Sequence, residues 1–173
     1  MIILVMGDFG VGKDVFADIL VEELNRIDPD SAKKVLSYTT RLPRDVKDFN
    51  NHLFALCTLN EEYFKDCDVV AKTVINNEFY WTEKWQFYKK YNIYVIDKAS
   101  VKQVIKSDID TTMLIEVVRD KSLINVSKER VNRKQNKGKL PRFIKPFVIE
   151  NNGTLEDLHQ KTVHFVQKYF SSE

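Results

Sequence analysis

The sequence predicts an α/β fold with a largely parallel sheet flanked by helices. Short apolar segments, of the kind that form buried strands, alternate along the chain with segments whose apolar residues recur at helical spacing. The first apolar segment, residues 1–6, runs directly into a glycine-rich turn, and a helical pattern follows that turn. Strand, turn and helix in that order are typical of the first unit of a parallel α/β sheet.

Two amphipathic helices are predicted near the ends of the chain. The first begins near Lys13 and places five apolar residues on one face, namely Val15, Phe16, Ile19, Leu20 and Leu24. The last follows a capping box formed by Thr154 and Asp157, and its predicted buried stripe contains Leu155, Leu158, Phe165, Val166 and Tyr169. Each apolar face predicts packing against the sheet.

The segments between these helices predict one continuous domain. Further strands are predicted at 33–40, 52–56, 68–75, 78–82, 92–97, 111–118 and 146–151. Helical segments are predicted after Thr58, around 100–106 and from about Lys121. No internal repeat or low-complexity linker divides the 173 residues, so we expect a single domain.

The composition indicates an ordinary globular protein, with 43% hydrophobic and 30% charged residues. No apolar run approaches the roughly 20 residues of a membrane span, and no basic region precedes the first strand as it would in a signal peptide. The two cysteines, Cys57 and Cys67, are too few for a disulfide scaffold and are expected to be reduced. We therefore expect a cytoplasmic protein.

Positive charge is concentrated in one segment. The net charge of the chain is +2, but residues 127–145 contain eight lysines and arginines against one glutamate. Such a segment is either the solvated face of a surface helix or a contact for an anionic partner. No nucleic-acid-binding motif accompanies it, so we expect no nucleic-acid partner.

Residues 6–16, MGDFGVGKDVF, contain the spacing of a phosphate-binding loop, Gly7-x-x-x-x-Gly12-Lys13. A tight loop with little side-chain bulk can turn several backbone N–H groups toward a phosphate, and the positive end of the following helix dipole assists. The lysine adds a cation that can reach the β- and γ-phosphates of ATP. A glycine-rich turn without function is the alternative. The residues predicted to bind ATP are Gly7, Gly10, Val11, Gly12, Lys13, Asp14 and Val15.

Asp14 stands where a phosphate-binding loop has Ser or Thr, whose hydroxyl binds Mg²⁺. A carboxylate oxygen is also a good Mg²⁺ ligand, directly or through a water molecule. The metal would offset the negative charge that the carboxylate adds near the phosphates. Asp14 is therefore predicted to alter this site without abolishing it.

A second candidate phosphate site lies in the stretch SYTTRLPR, residues 37–44. Arg41 and Arg44 are three residues apart in a loop that a proline restrains, and guanidinium groups bind phosphate oxygens in bidentate fashion. A solvated basic loop is the alternative. A phosphate-binding loop followed by S-x-T-T-R-x-P-R closely resembles guanylate kinase.

The resemblance to guanylate kinase extends over almost the whole chain. EFYWT, residues 78–82, stands where that family has its N-Y-Y-G-[ST] strand, and YVID, residues 94–97, stands at a strand that ends in acidic residues. Arg130 and Arg133 lie where the lid arginines fall. FVIENNGTLEDL resembles the family's end segment, with its asparagine before the last helix.

The resemblance implies the fold of nucleoside monophosphate kinases. Its parts would be a core, a monophosphate-binding part at about 36–88 and a lid at about 121–142, with the core formed by residues 1–35, 89–120 and 143–173. The implied partners are small-molecule nucleotides, with no nucleic acid and no membrane, and the chain would act as a monomer or homodimer.

The resemblance also implies the reaction, which is transfer of the γ-phosphoryl group of ATP to a nucleoside monophosphate, GMP or dGMP, with Mg²⁺ as cofactor. Lys13 would act on the donor phosphates, and the lid arginines would close over the transferring group. The implied catalytic residues are Lys13, Arg41, Arg130 and Arg133, and the implied acceptor-binding residues are Ser37, Arg41, Arg44, His52, Tyr80, Thr82 and Asp97.

Three positions depart from the family's pattern. His52 takes the place of a tyrosine that contacts the acceptor phosphate, Phe79 replaces another tyrosine, and the glutamate that reads guanine falls at Ala71. Thr82 and Asp97 remain as contacts to the edge of the base. Asp97 is equally suited to be a metal ligand together with Asp14.

Two alternatives stand beside the guanylate kinase interpretation. Ribose 1,5-bisphosphate phosphokinase resembles a guanylate kinase with Gly-Lys-Asp in its loop and no base to read, and NNHLFAL and ENNGTLEDL are similar to segments of it. RLPR is closer to guanylate kinase. The other alternative, from a different class, is a guanylate kinase-like binding module without catalytic activity.

Overall fold

The computed structural model describes residues 1–55, 61–107, 109, 111–124, 140 and 144–171. Its larger sheet contains β1 (Ile2–Met6), β2 (Ala32–Val35), β7 (Tyr91–Val95), β8 (Thr111–Val118) and β9 (Phe147–Glu150). The strand order is β2-β7-β1-β8-β9, and every neighbouring pair is parallel. The predicted α/β fold with a parallel sheet flanked by helices is confirmed.

Among the described residues, three α-helices flank the larger sheet, namely α1 (Lys13–Ile27), α2 (Val101–Lys106) and α3 (Leu155–Phe170). The central strand β1 is fully buried, because its alternating side chains enter two separate apolar layers. The layer that includes α1 and α3 contains Ile3 and Val5, and the layer that includes α2 contains Ile2, Leu4 and Met6. The glycine-rich turn therefore begins at a strand whose five residues are all buried.

A smaller sheet is formed by β3 (Ser37–Thr39), β4 (His52–Phe54), β5 (Val69–Ile75) and β6 (Glu78–Glu83), in the order β4-β3-β6-β5. β5 and β6 form an antiparallel hairpin whose turn residues, Asn76 and Asn77, both have positive φ, as a two-residue hairpin turn of this kind requires. Val70 and Ala71 of β5 enter the apolar layer that includes α2. The two sheets therefore share part of one core.

The strand predicted at 33–40 is in fact two strands that belong to different sheets. β2 pairs with β7 in the larger sheet, whereas β3 pairs with β4 and β6 in the smaller one. The chain crosses between the sheets at Leu36, whose carbonyl accepts a hydrogen bond from Nε2 of Gln86 at 2.8 Å. The prediction of one strand was wrong because the local sequence pattern shows only that residues 33–40 are extended. It does not show which sheet each half of the segment joins.

Both amphipathic helices bury most of the residues predicted for their inner faces. The exceptions are Val15 of α1, which is 42% exposed, and Leu155 and Tyr169 of α3, which are 67% and 41% exposed. Each exception lies near an end of its helix, where the helix is less covered. The predicted capping box is present, since Asp157 N donates to the Thr154 hydroxyl and Thr154 N donates to the Asp157 carboxylate.

Some predicted features fall wholly or partly outside the described residues. Of the helix predicted from Lys121, the described residues contain a single 3₁₀ turn, Lys121–Leu123. The lid arginines Arg130 and Arg133 lie outside the described residues, as does Thr58 of the second predicted capping box. Within the described part of the chain, no helix has both the length and the apolar character needed to cross a membrane.

Candidate functional site

A cavity of about 670 Å³ lies between the two sheets, beside the turn after β1 and the end of β7. Ligands of open parallel α/β sheets bind at this end of the strands. Its described wall includes Ser37 of β3, Arg41 in the loop after β3, His52 of β4, Tyr80 of β6 and Asp97 after β7. The fold thus brings both candidate phosphate sites to one cavity.

The turn after β1 has the geometry of an anion-binding loop. Gly12 has a φ of +89°, a left-handed conformation that favours glycine, and it directly precedes α1. Gly7 lies so close to β8 that a Cβ there would be 2.5 Å from the Val117 carbonyl oxygen. No side chain of the described residues caps α1. The first N–H groups of that helix are therefore available to an anion.

Lys13 and Asp14 lie side by side at the start of α1, and both are on the cavity wall. The Lys13 ammonium is 3.7 Å from the Asp14 carboxylate and 5.4 Å from the centre of the Phe9 ring. Gly7 and Gly10 are also on the wall. The other residues predicted to bind ATP lie outside the described wall: Val11, Gly12 and Val15.

Asp97 lies beside the glycine-rich turn, because β7 and β1 are parallel neighbours. The pairing continues past β7, where Ile96 N donates to the Val5 carbonyl at 2.9 Å. The Asp97 carboxylate accepts hydrogen bonds from N and Oγ of Ser100 at 3.0 and 2.8 Å. These bonds orient a carboxylate that remains on the cavity wall.

Asp48 holds Arg41 and Arg44 together on another part of the wall. Its Oδ2 accepts hydrogen bonds from Nη1 of Arg41 at 2.7 Å and from N and Nε of Arg44 at 2.7 and 3.1 Å. Its Oδ1 accepts from Nη2 of Arg41 at 3.2 Å and from Nη2 of Arg44 at 2.7 Å. Burial by itself would raise the pKa of the Asp48 carboxyl, but the hydrogen bonds from Arg44 and Arg41 outweigh burial and hold that pKa well below its usual range.

The two arginines differ in how accessible their guanidinium groups are. Arg41 is 8% exposed, and it also donates from Nε to the Tyr80 hydroxyl at 3.1 Å and from Nη1 to the Leu42 carbonyl at 2.9 Å. The Arg44 side chain is 36% exposed. No described hydrogen bond engages Nη1 of Arg44. Arg44 therefore presents more of the donors that a ligand could use.

His52 lies next to the arginine cluster, with its ring centre 5.6 Å from that of Tyr80. Burial, reinforced by the positive charge of Arg41, lowers the pKa of His52 from 6.5 to about 4. The imidazole is therefore neutral near neutral pH. Its buried Nδ1 has no hydrogen-bond partner among the described residues.

Tyr94, a buried residue of β7, connects the hydroxyls of Ser37 and Thr82. Its phenolic oxygen accepts hydrogen bonds from Thr82 Oγ1 at 3.2 Å and from Ser37 Oγ at 3.5 Å. Ser37 and Tyr94 are on the wall, whereas Thr82 is fully buried and lies outside the described wall. Contrary to its predicted role as a base contact, Thr82 reaches the cavity only through Tyr94. Ala71, which faces Thr82 in the β5–β6 pair, is on the wall and offers only a methyl group.

Comparison with known proteins places the fold. No protein-family model and no curated protein sequence matches the chain. Among solved structures, guanylate kinase from Anaplasma phagocytophilum matches with a TM-score of 0.58 and 15% sequence identity, over 99% of this chain and 87% of that chain. The fold is guanylate kinase-like. A sugar kinase from Janibacter sp. HTCC2649 matches with a TM-score of 0.42 and 10% sequence identity, over 96% of this chain and 94% of that chain.

Three residues of this guanylate kinase-like fold shape the site although sequence reasoning assigned them no role: Asp48, Tyr94 and Asn151. Asp48 follows Arg44 by four residues, a spacing that indicates an ion pair within an α-helix, whereas Arg44 lies in a predicted loop. Tyr94 has the pattern of an ordinary core residue in a strand. Asn151 donates from Nδ2 to the Val11 carbonyl at 2.8 Å across 140 positions, and no local pattern indicates such a contact.

Proposed function

We propose that the protein is an ATP-dependent kinase that transfers the γ-phosphoryl group to a nucleoside monophosphate, GMP or dGMP. One observation carries the proposal. The same cavity is lined by Lys13, at the start of a helix that no described side chain caps, and by Arg41 and Arg44, which Asp48 holds in place. Both features suit a phosphate group. A kinase with a phosphorylated acceptor needs two such features on one cavity, and the guanylate kinase-like fold supports the same assignment.

In the proposed reaction, the N–H groups of the turn and the Lys13 ammonium hold the donor phosphates. Arg44, oriented by Asp48, holds the acceptor phosphate together with the remaining donor of Arg41. An acceptor phosphate oxygen attacks the γ-phosphorus while the bond from that phosphorus to the bridging oxygen of ADP breaks. Positioning and charge neutralisation dominate such transfers, so no strong general base is needed. The products are ADP and the nucleoside diphosphate.

Asp14 and Asp97 are the residues that would hold Mg²⁺. Both carboxylates lie on the cavity wall, and the described residues contain no group of three or more acidic, histidine or cysteine side chains that could hold a metal by themselves. Kinase sites bind Mg²⁺ through one or two carboxylates with water and substrate phosphates, so this donor set fits. When bound, Mg²⁺ would neutralise charge on the donor phosphates.

At Ala71, the cavity wall near β5 has no carboxylate that would bind a base, and this favours a second class of acceptor, a sugar bisphosphate such as ribose 1,5-bisphosphate. Ala71 presents only a methyl group there, and the Thr82 hydroxyl is engaged by Tyr94. These positions offer guanine no charged acceptor for its N1–H and amino group, and the loss of such a hydrogen bond costs about 1.5–3 kcal/mol, or roughly 10- to 150-fold. We therefore expect GMP to be selected less strictly than by a site with a glutamate at this position.

The test compares GMP, dGMP, AMP and ribose 1,5-bisphosphate as acceptors with ATP and Mg²⁺, and it measures ADP release and the phosphorylated product. We expect turnover of GMP or dGMP by the wild type. In Lys13→Ala, turnover should fall about 100- to 1000-fold, because the lysine stabilises charge on the transferring phosphoryl group. Lys33→Ala is the matched control, since the Lys33 ammonium lies 3.9 Å from the centre of the Tyr88 ring and outside the described cavity wall.

Other outcomes would change the assignment. Turnover of ribose 1,5-bisphosphate alone would replace the nucleotide acceptor with the sugar bisphosphate. Full activity of Lys13→Ala would contradict the kinase proposal. Binding of GMP without turnover of any acceptor would identify a guanylate kinase-like binding module.

A further inference from the structure

Asn151 connects the glycine-rich turn after β1 to the edge of the larger sheet that β8 and β9 form. It directly follows β9 and is 6% exposed. Its backbone N donates to the carbonyl of Val118, the last residue of β8, at 2.8 Å. Its side-chain Nδ2 donates to the Val11 carbonyl at 2.8 Å. The residue is thus held by β8 through its backbone and holds the turn through its side chain.

The Val11 carbonyl is the group whose direction matters for an anion. An anion-binding loop requires that its N–H groups face the anion and that its carbonyl oxygens turn away, because an inward oxygen would repel a phosphate. Val11 is 3% exposed, and neither Val11 nor Asn151 belongs to the described cavity wall. The hydrogen bond from Asn151 therefore keeps this carbonyl on the side of the turn that faces the protein interior.

The contact continues at the next residue of the turn. A Cβ on Gly12 would lie 2.5 Å from Nδ2 of Asn151, so the amide packs directly against the peptide that leads into α1. Gly12 also has a φ of +89°. Asn151 thus contacts both peptides that set the path of the chain into the helix.

We propose that Asn151 is a positioning residue that sets the conformation of the phosphate-binding loop before a nucleotide binds. The inference rests on the proposed function, in which this loop holds the donor phosphates. Loss of the Asn151 amide should loosen residues 7–13 in the ligand-free protein. Weaker binding of a nucleoside diphosphate should follow, because the loop must then be ordered during binding.

The test uses Asn151→Asp and Asn151→Ala in the full chain. Aspartate keeps the shape of asparagine but places an oxygen against the Val11 carbonyl, and alanine leaves that carbonyl without its donor. Asn152→Ala is the matched control, because Asn152 is exposed and its Oδ1 accepts from Asp120 N at 2.8 Å. Two quantities are measured: amide hydrogen exchange of residues 7–13 without ligand, and the Kd of ADP with Mg²⁺.

We expect both Asn151 variants to exchange faster in residues 7–13, with unchanged exchange in β1 and α3, and to bind ADP about tenfold or more weakly. Asn152→Ala should match the wild type. Weaker ADP binding with unchanged loop exchange would overturn the inference, because Asn151 would then act by touching the nucleotide.

Unchanged loop exchange with unchanged ADP binding would also overturn the inference, as would faster exchange throughout the protein. Failure of the wild type to bind ADP would instead contradict the proposed function. In that case, loop exchange in the Asn151 variants would still decide whether this residue positions the loop.

Discussion

His52 enters the site as a neutral group, although an imidazole has an ordinary pKa of 6.5. Burial and the positive charge of Arg41 disfavour a proton on the ring, while the carboxylates of Asp48 and Asp14 favour one and only partly offset them. The result is a residue that can form hydrogen bonds with a ligand without adding charge beside the arginines. Sequence comparison identified the position, but only the surroundings define its chemistry.

The lowered pKa of His52 predicts how stability changes with pH. The unfolded chain takes up a proton near pH 6.5, whereas the folded protein resists protonation until about pH 4. The contribution of His52 is therefore fully present above pH 6.5 and is lost as the pH falls toward 4. Urea unfolding in this interval should show a steeper loss of stability for the wild type than for His52→Gln. Parallel profiles for the two proteins would contradict the prediction.

At the scale of elements, Asp48 organises the loop that joins β3 to β4. It lies in a 3₁₀ helix, Val46–Asn50, and its N donates to Oδ1 of Asp45 at 3.0 Å. Its carboxylate is 5% exposed, and it bonds the guanidinium groups of Arg41 and Arg44. Arg41 in turn donates to Tyr80 of β6. This buried network ties the loop to the smaller sheet, in addition to the backbone hydrogen bond from Thr40 N to the Phe79 carbonyl at 3.2 Å.

Asp48→Ala should lower the free energy of unfolding by about 3–5 kcal/mol, because it leaves the guanidinium of Arg41 buried without its carboxylate. Chemical denaturation at neutral pH measures the change. The matched control is Asp28→Ala, which removes a pair with Lys90 whose side chains are 45% and 60% exposed, and this variant should lose less than about 1 kcal/mol. Equal losses would show that burial of the Asp48 network adds nothing.

The low pKa of Asp48 predicts that the stability contributed by the same network is lost in acid. The folded carboxyl holds its proton less tightly than the unfolded one, whose ordinary pKa is near 3.8. Its contribution is therefore fully present above that pH and declines as the pH falls further. The interval lies below the one in which His52 acts, so acid titration separates the two residues.

At the scale of the whole molecule, the two sheets are joined by one apolar cluster. Ile2 and Leu4 of the central strand share it with Val70 and Ala71 of β5 and with Tyr94 of β7. Tyr94 also bonds the hydroxyls of Ser37 and Thr82 in the smaller sheet. Because the same cluster supports both sides of the cavity, we expect the described sheets to unfold together.

Tryptophan fluorescence can test this coupling, because Trp81 is 1% exposed in the smaller sheet and Trp85 is 60% exposed. In Trp85→Phe, the remaining tryptophan reports on the smaller sheet alone, whereas far-UV circular dichroism reports, among the described elements, mainly on α1 and α3. We expect the two urea transitions to coincide. A fluorescence transition at lower urea would show that the smaller sheet unfolds separately, and comparison with the wild type by circular dichroism controls for the substitution itself.

The sequence by itself determined the features that depend on near neighbours in the chain. Alternation of apolar strands with amphipathic helices predicted the parallel sheet, since the two periodicities arise from the backbone of each element. The spacing of Gly7, Gly12 and Lys13 predicted a tight turn between β1 and α1, and the structure has that turn, with Gly12 in a left-handed conformation. The cap of α3 was predictable for the same reason, as Thr154 and Asp157 bond each other's backbone within one turn.

Only the tertiary structure decided which predicted side chains reach the cavity and what holds them. The chain passes from the larger to the smaller sheet at Leu36. Thr82 is buried in the core, and its hydroxyl bonds Tyr94, which lies on the cavity wall. The Asp48 carboxylate pairs with the guanidinium groups of Arg41 and Arg44. Asn151 reaches the loop across 140 positions. Such contacts depend on how strands and helices pack against each other. They produce no periodic pattern in the sequence around the contacting residues, so the sequence alone does not predict them.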